Sequence, residues 1–144
     1  MKDFTEQAEQ LFRDFAQRHS LIINKVDEPN VELLMRVPKQ AGLKFQLTLG
    51  LQNIDELNIG INDFWSHFFP YEACKQTVST ALDGLVDGDC RLAIHRQLGR
   101  VTRRILEQRR GDEWKTIYTQ FVGVRIPFLG SSICYLSNRD MQDC

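Results

Sequence analysis

Three histidines (His19, His67, His95), four cysteines (Cys74, Cys90, Cys134, Cys144) and nineteen carboxylates are the groups able to ligate a metal, shuttle a proton or attack a substrate. Their spacing argues against each use. No H-x-x-x-H or C-x-x-C pair occurs, so a metal site would need ligands drawn together from distant parts of the chain. No G-x-S-x-G elbow occurs either. Ser66 beside His67 is the nearest approach to a nucleophile and its base, but neighbours on an extended strand point to opposite faces. The Ser66 hydroxyl is expected to bond local backbone near the start of the following helix. The glycines are dispersed and form neither a G-x-x-x-x-G-K-[ST] nor a G-x-G-x-x-G run. The expectation is no enzyme, no cofactor and no metal.

The densest local signal is Phe64-Trp65-Ser66-His67-Phe68-Phe69-Pro70-Tyr71. So many rings must either plug a strand-to-helix corner or line a recognition surface. If the strand carrying Ile59 and Ile61 stays extended, Asp63, Trp65 and His67 continue its inward row, with Phe64, Ser66 and Phe68 opposite. His67 is then either a core histidine bonded to a carboxylate such as Asp63, or one wall of a pocket mouth with Asp63 and Trp65. A partner-docking role would leave Trp65 exposed.

The formal net charge of −1 hides an asymmetry. Residues 1–90 carry 8 basic and 14 acidic side chains, whereas residues 91–115 carry 8 basic and 3 acidic ones. The chain can face a cationic partner with one part and an anionic partner with another. The basic run (Arg91, Arg96, Arg100, Arg103, Arg104, Arg109, Arg110, Lys115) could form a stripe for phosphates, with Trp114 and Tyr118 nearby for stacking. Nucleic acid is nonetheless disfavoured. The chain is slightly acidic overall, and arginines on a solvent-facing strand also guard against edge pairing.

Elements to position these groups follow from periodicity. Phe4, Ala8, Leu11, Phe12, Phe15 and His19 form one face of a helix, with Asp3 and Glu6 as its expected capping box. Strands are expected at 21–26, 31–37, 43–49 and 57–61, joined by short links and hence antiparallel. A second helix starts at Pro70 and buries Tyr71, Cys74, Val78, Ala81, Leu82 and Leu85; Gly84 or Gly88 ends it. Strands around Leu92–Ile94, Val101–Leu106 and Trp114–Val122 follow, with Arg110-Gly111-Asp112 as a hairpin turn. Residues 123–135 are expected to hold a broken strand or a short helix. The order α-β-β-β-β-α-β-β-β predicts a single α+β domain over residues 1–144, with one curved antiparallel sheet of about seven strands and both helices on one face. The N-terminus lacks the apolar core of a signal peptide, and no apolar run approaches the length of a membrane span. A cytoplasmic location and four free thiols are therefore expected.

From Leu57 to Trp114, an alternating strand runs into an aromatic-W-x-H-aromatic segment and a helix ending in Leu85-Val86-Asp87-Gly88-Asp89. A basic hairpin and a tryptophan after Gly111 follow. This block resembles small α/β proteins of bacterial polymorphic-toxin loci, among them immunity proteins of contact-dependent growth inhibition systems. The resemblance implies a non-catalytic cytosolic protein that binds and blocks a cognate toxin domain, and it carries over no catalytic residue. A toxic nuclease would present a cationic groove, so the expected docking residues are Asp27, Glu28, Glu32, Asp55 and Glu56, with Asp63, Trp65 and His67. No membrane partner is expected. Two other readings stay open: a chaperone for a secreted effector, marked by a C-terminal helix, and a small-molecule binder or enzyme with a pocket near His67.

Overall fold

A computed structural model describes residues 2–139. Its elements are α1 (Thr5–Arg18), β1 (Asn24–Lys25), β2 (Leu33–Val37), β3 (Leu47–Gln52), β4 (Glu56–Ile61), β5 (Phe64–Trp65), α2 (Tyr71–Asp87), β6 (Cys90–Gln97), β7 (Arg100–Arg110), β8 (Glu113–Phe121) and β9 (Ser132–Leu136). The fold class is α+β, as expected. The chain divides into two compact units at Asp83/Gly84, within α2.

The strands do not form one sheet. A five-stranded antiparallel sheet runs β1-β2-β3-β4-β5, and a four-stranded one runs β8-β7-β6-β9. The reason lies at β6, whose two edges are taken by β7 and β9. No edge of that strand is left to continue the first sheet.

In the first unit, Ala8, Phe12, Phe15 and Ala16 of α1 are buried, and the helix packs on β2 and β3. The alternating residues Leu33, Met35 and Val37, then Leu47, Leu49 and Leu51, are fully enclosed, as period-2 patterning of a half-buried strand requires. Asp3 does not build a capping box with Glu6. Its carboxylate accepts from the Thr5 amide at 2.9 Å and the Thr5 hydroxyl at 2.7 Å, and the helix carries no side-chain cap bond. The expected strand over 21–26 shrinks to two residues, and the one over 43–49 starts only at Leu47. Residues 40–43 instead close a tight turn through reciprocal Gln40–Leu43 backbone bonds.

In the second unit, Gly88 at φ +85° ends α2, its amide donating to the Gly84 carbonyl at 2.9 Å. Gly84 itself is needed for close packing. A Cβ built there would lie 2.4 Å from the Cys90 sulfur. Two-residue turns join β6 to β7 (Leu98-Gly99, φ +51° and +75°) and β7 to β8 (Gly111-Asp112). Cys74 and Cys90 are free and buried, but Cys134 is in a disulfide, which corrects the expectation of thiols throughout. Cys144 lies outside the described residues. No helix is long and apolar enough to cross a membrane.

Candidate functional site

Register decides which candidate residues meet. β4 turns back through Asn62-Asp63, with Asn62 at φ +53°, so that Ile61 pairs with Phe64 and Gly60 with Trp65. The extended row expected to run Ile59, Ile61, Asp63, Trp65, His67 is therefore broken. Phe64 takes the inward place beside Ile61 and is buried, while Trp65 falls on the opposite face with Gly60, Asn58 and Glu56. A two-residue reversal exchanges the faces. The indole lies flat on β4 and β3 because glycine stands below it. A Cβ at Gly60 would sit 2.7 Å from the ring, and one at Gly50 would sit 3.3 Å from it.

Beside the indole, Glu56 and His67 pair at 2.8 Å between Oε2 and Nδ1. Asp63, the partner expected for His67, stands instead in the β4–β5 turn. Asn58 Nδ2 donates to Glu56 Oε2 at 2.9 Å and to the Ser66 carbonyl at 2.9 Å, and Gln52 Nε2 donates to the same Glu56 oxygen. Burial acts to raise the Glu56 pKa. The bonds from His67, Asn58 and Gln52, helped by the imidazole charge, outweigh it and hold the carboxyl below its ordinary value. Glu56 is thus buried rather than an outward docking carboxylate. Asn58 Oδ1 is a buried acceptor that meets no donor among the described residues. The Ser66 hydroxyl is occupied by the Ile59 backbone, accepting from its amide at 2.9 Å and donating to its carbonyl at 3.2 Å. Such a cluster cross-links β4 to the chain after β5. Its one hydroxyl, on Ser66, is engaged with backbone.

Three other candidates do come together. Asp27, Glu28 and Glu32 line a shallow groove of about 520 Å³, with Val26, Val31 and Leu34 among its apolar walls. Glu32 also accepts the Ile54 amide at 3.0 Å, and Glu28 accepts the Asn30 amide at 3.3 Å, so both carboxylates brace turns. Asp27 is exposed. Asp55 and Asp63 sit in the turns at opposite ends of β4, apart from each other. Among the described residues no three His, Cys, Asp or Glu side chains gather as a metal site would require.

The basic run of the second unit is not one stripe. Arg103 and Arg109 share a face of β7 with Glu107, and Arg104 points to the other, where it donates to Gln120 at 3.2 Å. Arg91 is held in place, 3.9 Å over the Trp114 ring, 3.8 Å over the Tyr135 ring and 2.8 Å from Glu107. Trp114 stacks on arginine rather than waiting for a base. His95 on the same face is buried. Enclosure, with Arg103 and Arg125 nearby, lowers its pKa despite the opposing charge of Glu107.

Sequence reasoning missed Gln52 and Asn58, although Glu56, Asn58 and Gly60 share one parity and so one face. It also missed the apolar segment between β8 and β9. Phe121, Val122, Val124, Ile126, Phe128 and Leu129 are all exposed, a density that patterning alone could have flagged. Compared with family models, with curated proteins and with solved structures, the chain matches none.

Proposed function

We propose that this is a non-catalytic binding protein of the immunity type, covering a cationic toxin domain with the acidic margin of its first unit. The observation that carries the reading is the groove where Asp27, Glu28 and Glu32 rim the apolar side chains of Val26, Val31 and Leu34. Lys25 also lines the groove, but its ammonium pairs with Glu9 at 2.9 Å, so three carboxylates outweigh one neutralised cation. Mainly acidic edges around an apolar floor suit a basic, partly apolar knob on a partner, since charge steers the encounter and buried area retains it. The first 83 residues agree in sign, with 12 acidic side chains against 8 basic. An effector chaperone is less well supported, because the described part of residues 123–144 holds strand β9 and no helix.

The test is co-purification with the proteins encoded beside this one, followed by titration of whichever binds. Asp27→Lys and Val31→Glu, whose side chains take no part in the turn-bracing carboxylate bonds, should each weaken the complex by roughly tenfold or more. Asp27→Lys should also flatten the dependence of association rate on salt. A tight complex indifferent to both substitutions, or no binding by any encoded neighbour, would sink the proposal.

A further inference from the structure

Four chain segments of the second unit end together. In the β8-β7-β6-β9 sheet, the close of β6, the start of β7, the close of β8 and the start of β9 all lie at one end, through the pairs Gln97–Arg100, Arg103–Phe121 and Arg96–Ser132. That end is unusually apolar for a solvent-facing surface. Leu98 is 78% exposed, Phe121 80%, Val124 89% and Phe128 110%, with Ile126 and Ile133 open beside them. Singly exposed apolar residues are ordinary, but so many gathered at one place mark a contact surface.

The connection bearing these side chains is fastened. Gln97 is buried, and its amide donates to the Ile126 carbonyl at 3.2 Å and the Leu129 carbonyl at 3.0 Å while accepting from the Ile126 amide at 2.8 Å. The Val122 and Gly123 amides both donate to the Thr102 carbonyl. These bonds satisfy part of the backbone internally, which lowers the cost of moving the segment out of water. Leu98 and Phe128 are held in left-handed conformations at φ +51° and +66°. Bulky residues resist that region, and here it turns both side chains outward.

Charge selects the partner. Arg100 and Arg125 are exposed at the same end. The acidic residues between 91 and 133 are Glu107, Asp112 and Glu113, and they lie toward the opposite end, in the second half of β7 and the β7–β8 hairpin. Two copies meeting through this surface would bring like charges together. Apolar tips this fully exposed project outward rather than line a groove, which suits a deformable surface better than a rigid cleft. We propose that this end of the second sheet docks peripherally on an anionic lipid bilayer, with Phe128, Val124 and Leu98 entering the interface and Arg100 and Arg125 meeting headgroup phosphates. The contact proposed is peripheral, and the proposal is independent of the toxin-binding reading.

Sedimentation with phosphatidylcholine vesicles containing about a quarter phosphatidylglycerol, against pure phosphatidylcholine, tests it at about 0.1 M salt. Binding is expected to the anionic vesicles only. Arg125→Gln should weaken it by about fivefold, and the pair Val124→Ser with Phe128→Ser by more than tenfold. In a second measurement, Phe128→Trp fluorescence should shift to the blue with anionic vesicles and be quenched by brominated lipid. The proposal is overturned if the Phe128→Trp emission ignores vesicles or binding is unaltered by these substitutions. Self-association through Phe128 without lipid binding would likewise overturn it, by making a second copy the occupant.

Discussion

Trp65 shows how much one side chain can depend on two positions without any. Its indole lies over Gly60 and Gly50, and a methyl group at Gly60 would enter the space of the ring. Gly60→Ala should therefore cost about 1–3 kcal/mol of stability by overpacking. In a Trp65→Ala background the same change should cost little, because the obstructing ring is gone. Urea unfolding of the four proteins reads the coupling, and equal costs in both backgrounds would show that the indole is not what Gly60 accommodates. Glu56 and His67 illustrate the other lesson at this scale. A carboxylate and an imidazole in contact suggest acid–base chemistry, but here Gln52, Asn58 and His67 all converge on one oxygen of Glu56, and the neighbouring hydroxyl is spent on backbone. The bonds that converge on Glu56 tie β3 and β4 to the chain after β5.

The elements themselves are set by competition between propensity and packing, and α2 gives the cleanest case. Replacing a helical glycine by alanine ordinarily stabilises by about 1 kcal/mol. At Gly84 the added carbon would lie 2.4 Å from the Cys90 sulfur, and a contact that short forces helix or strand to shift. Gly84→Ala is therefore expected to destabilise by about 1–3 kcal/mol, reversing the sign that propensity gives. A denaturation midpoint at or above that of the parent would refute this close approach. The Cys90 thiol is pushed up to about 12, first by burial and then by Asp89, so it acts as a packed apolar group and not as a nucleophile. Gln97 acts on the same scale, since one buried amide fixes the connection between β8 and β9 through three bonds.

For the whole molecule, pH is the variable that sums over both units. The His95 pKa is lowered by burial and by Arg103 and Arg125, so the fold favours the neutral ring. Its contribution is complete above the unfolded value of about 6.5 and is lost as pH falls from there through the lower folded one. Glu56 is also lowered, and its contribution is present above the unfolded value of about 4.3 and lost as pH falls through the lower folded one. Stability should therefore decline in two acid steps. His95→Gln should remove the upper step and Glu56→Gln the lower, as read from unfolding midpoints across pH. A profile unchanged by both substitutions would show that other groups govern acid unfolding.

What could be read without coordinates was whatever depends on near neighbours in the chain. The stripe from Ala8 to Phe15, the alternation Leu47, Leu49, Leu51, the Gly88 stop and the Gly111 turn are patterns of 3.6, of 2 and of single left-handed positions. Each was visible because its cause lies within a few residues. What the sequence could not decide was pairing. That β9 claims the open edge of β6, and so splits the strands into two sheets, depends on residues some forty positions apart. The two-residue Asn62-Asp63 turn, by sending the chain back, moved Trp65 and His67 to the face opposite the expected one. The gathering of Leu98, Phe121 and Phe128 at one sheet end is of the same kind. Side-chain type is a local property, but which side chains share a surface follows from strand register, and register is settled only when distant segments bury their apolar faces together.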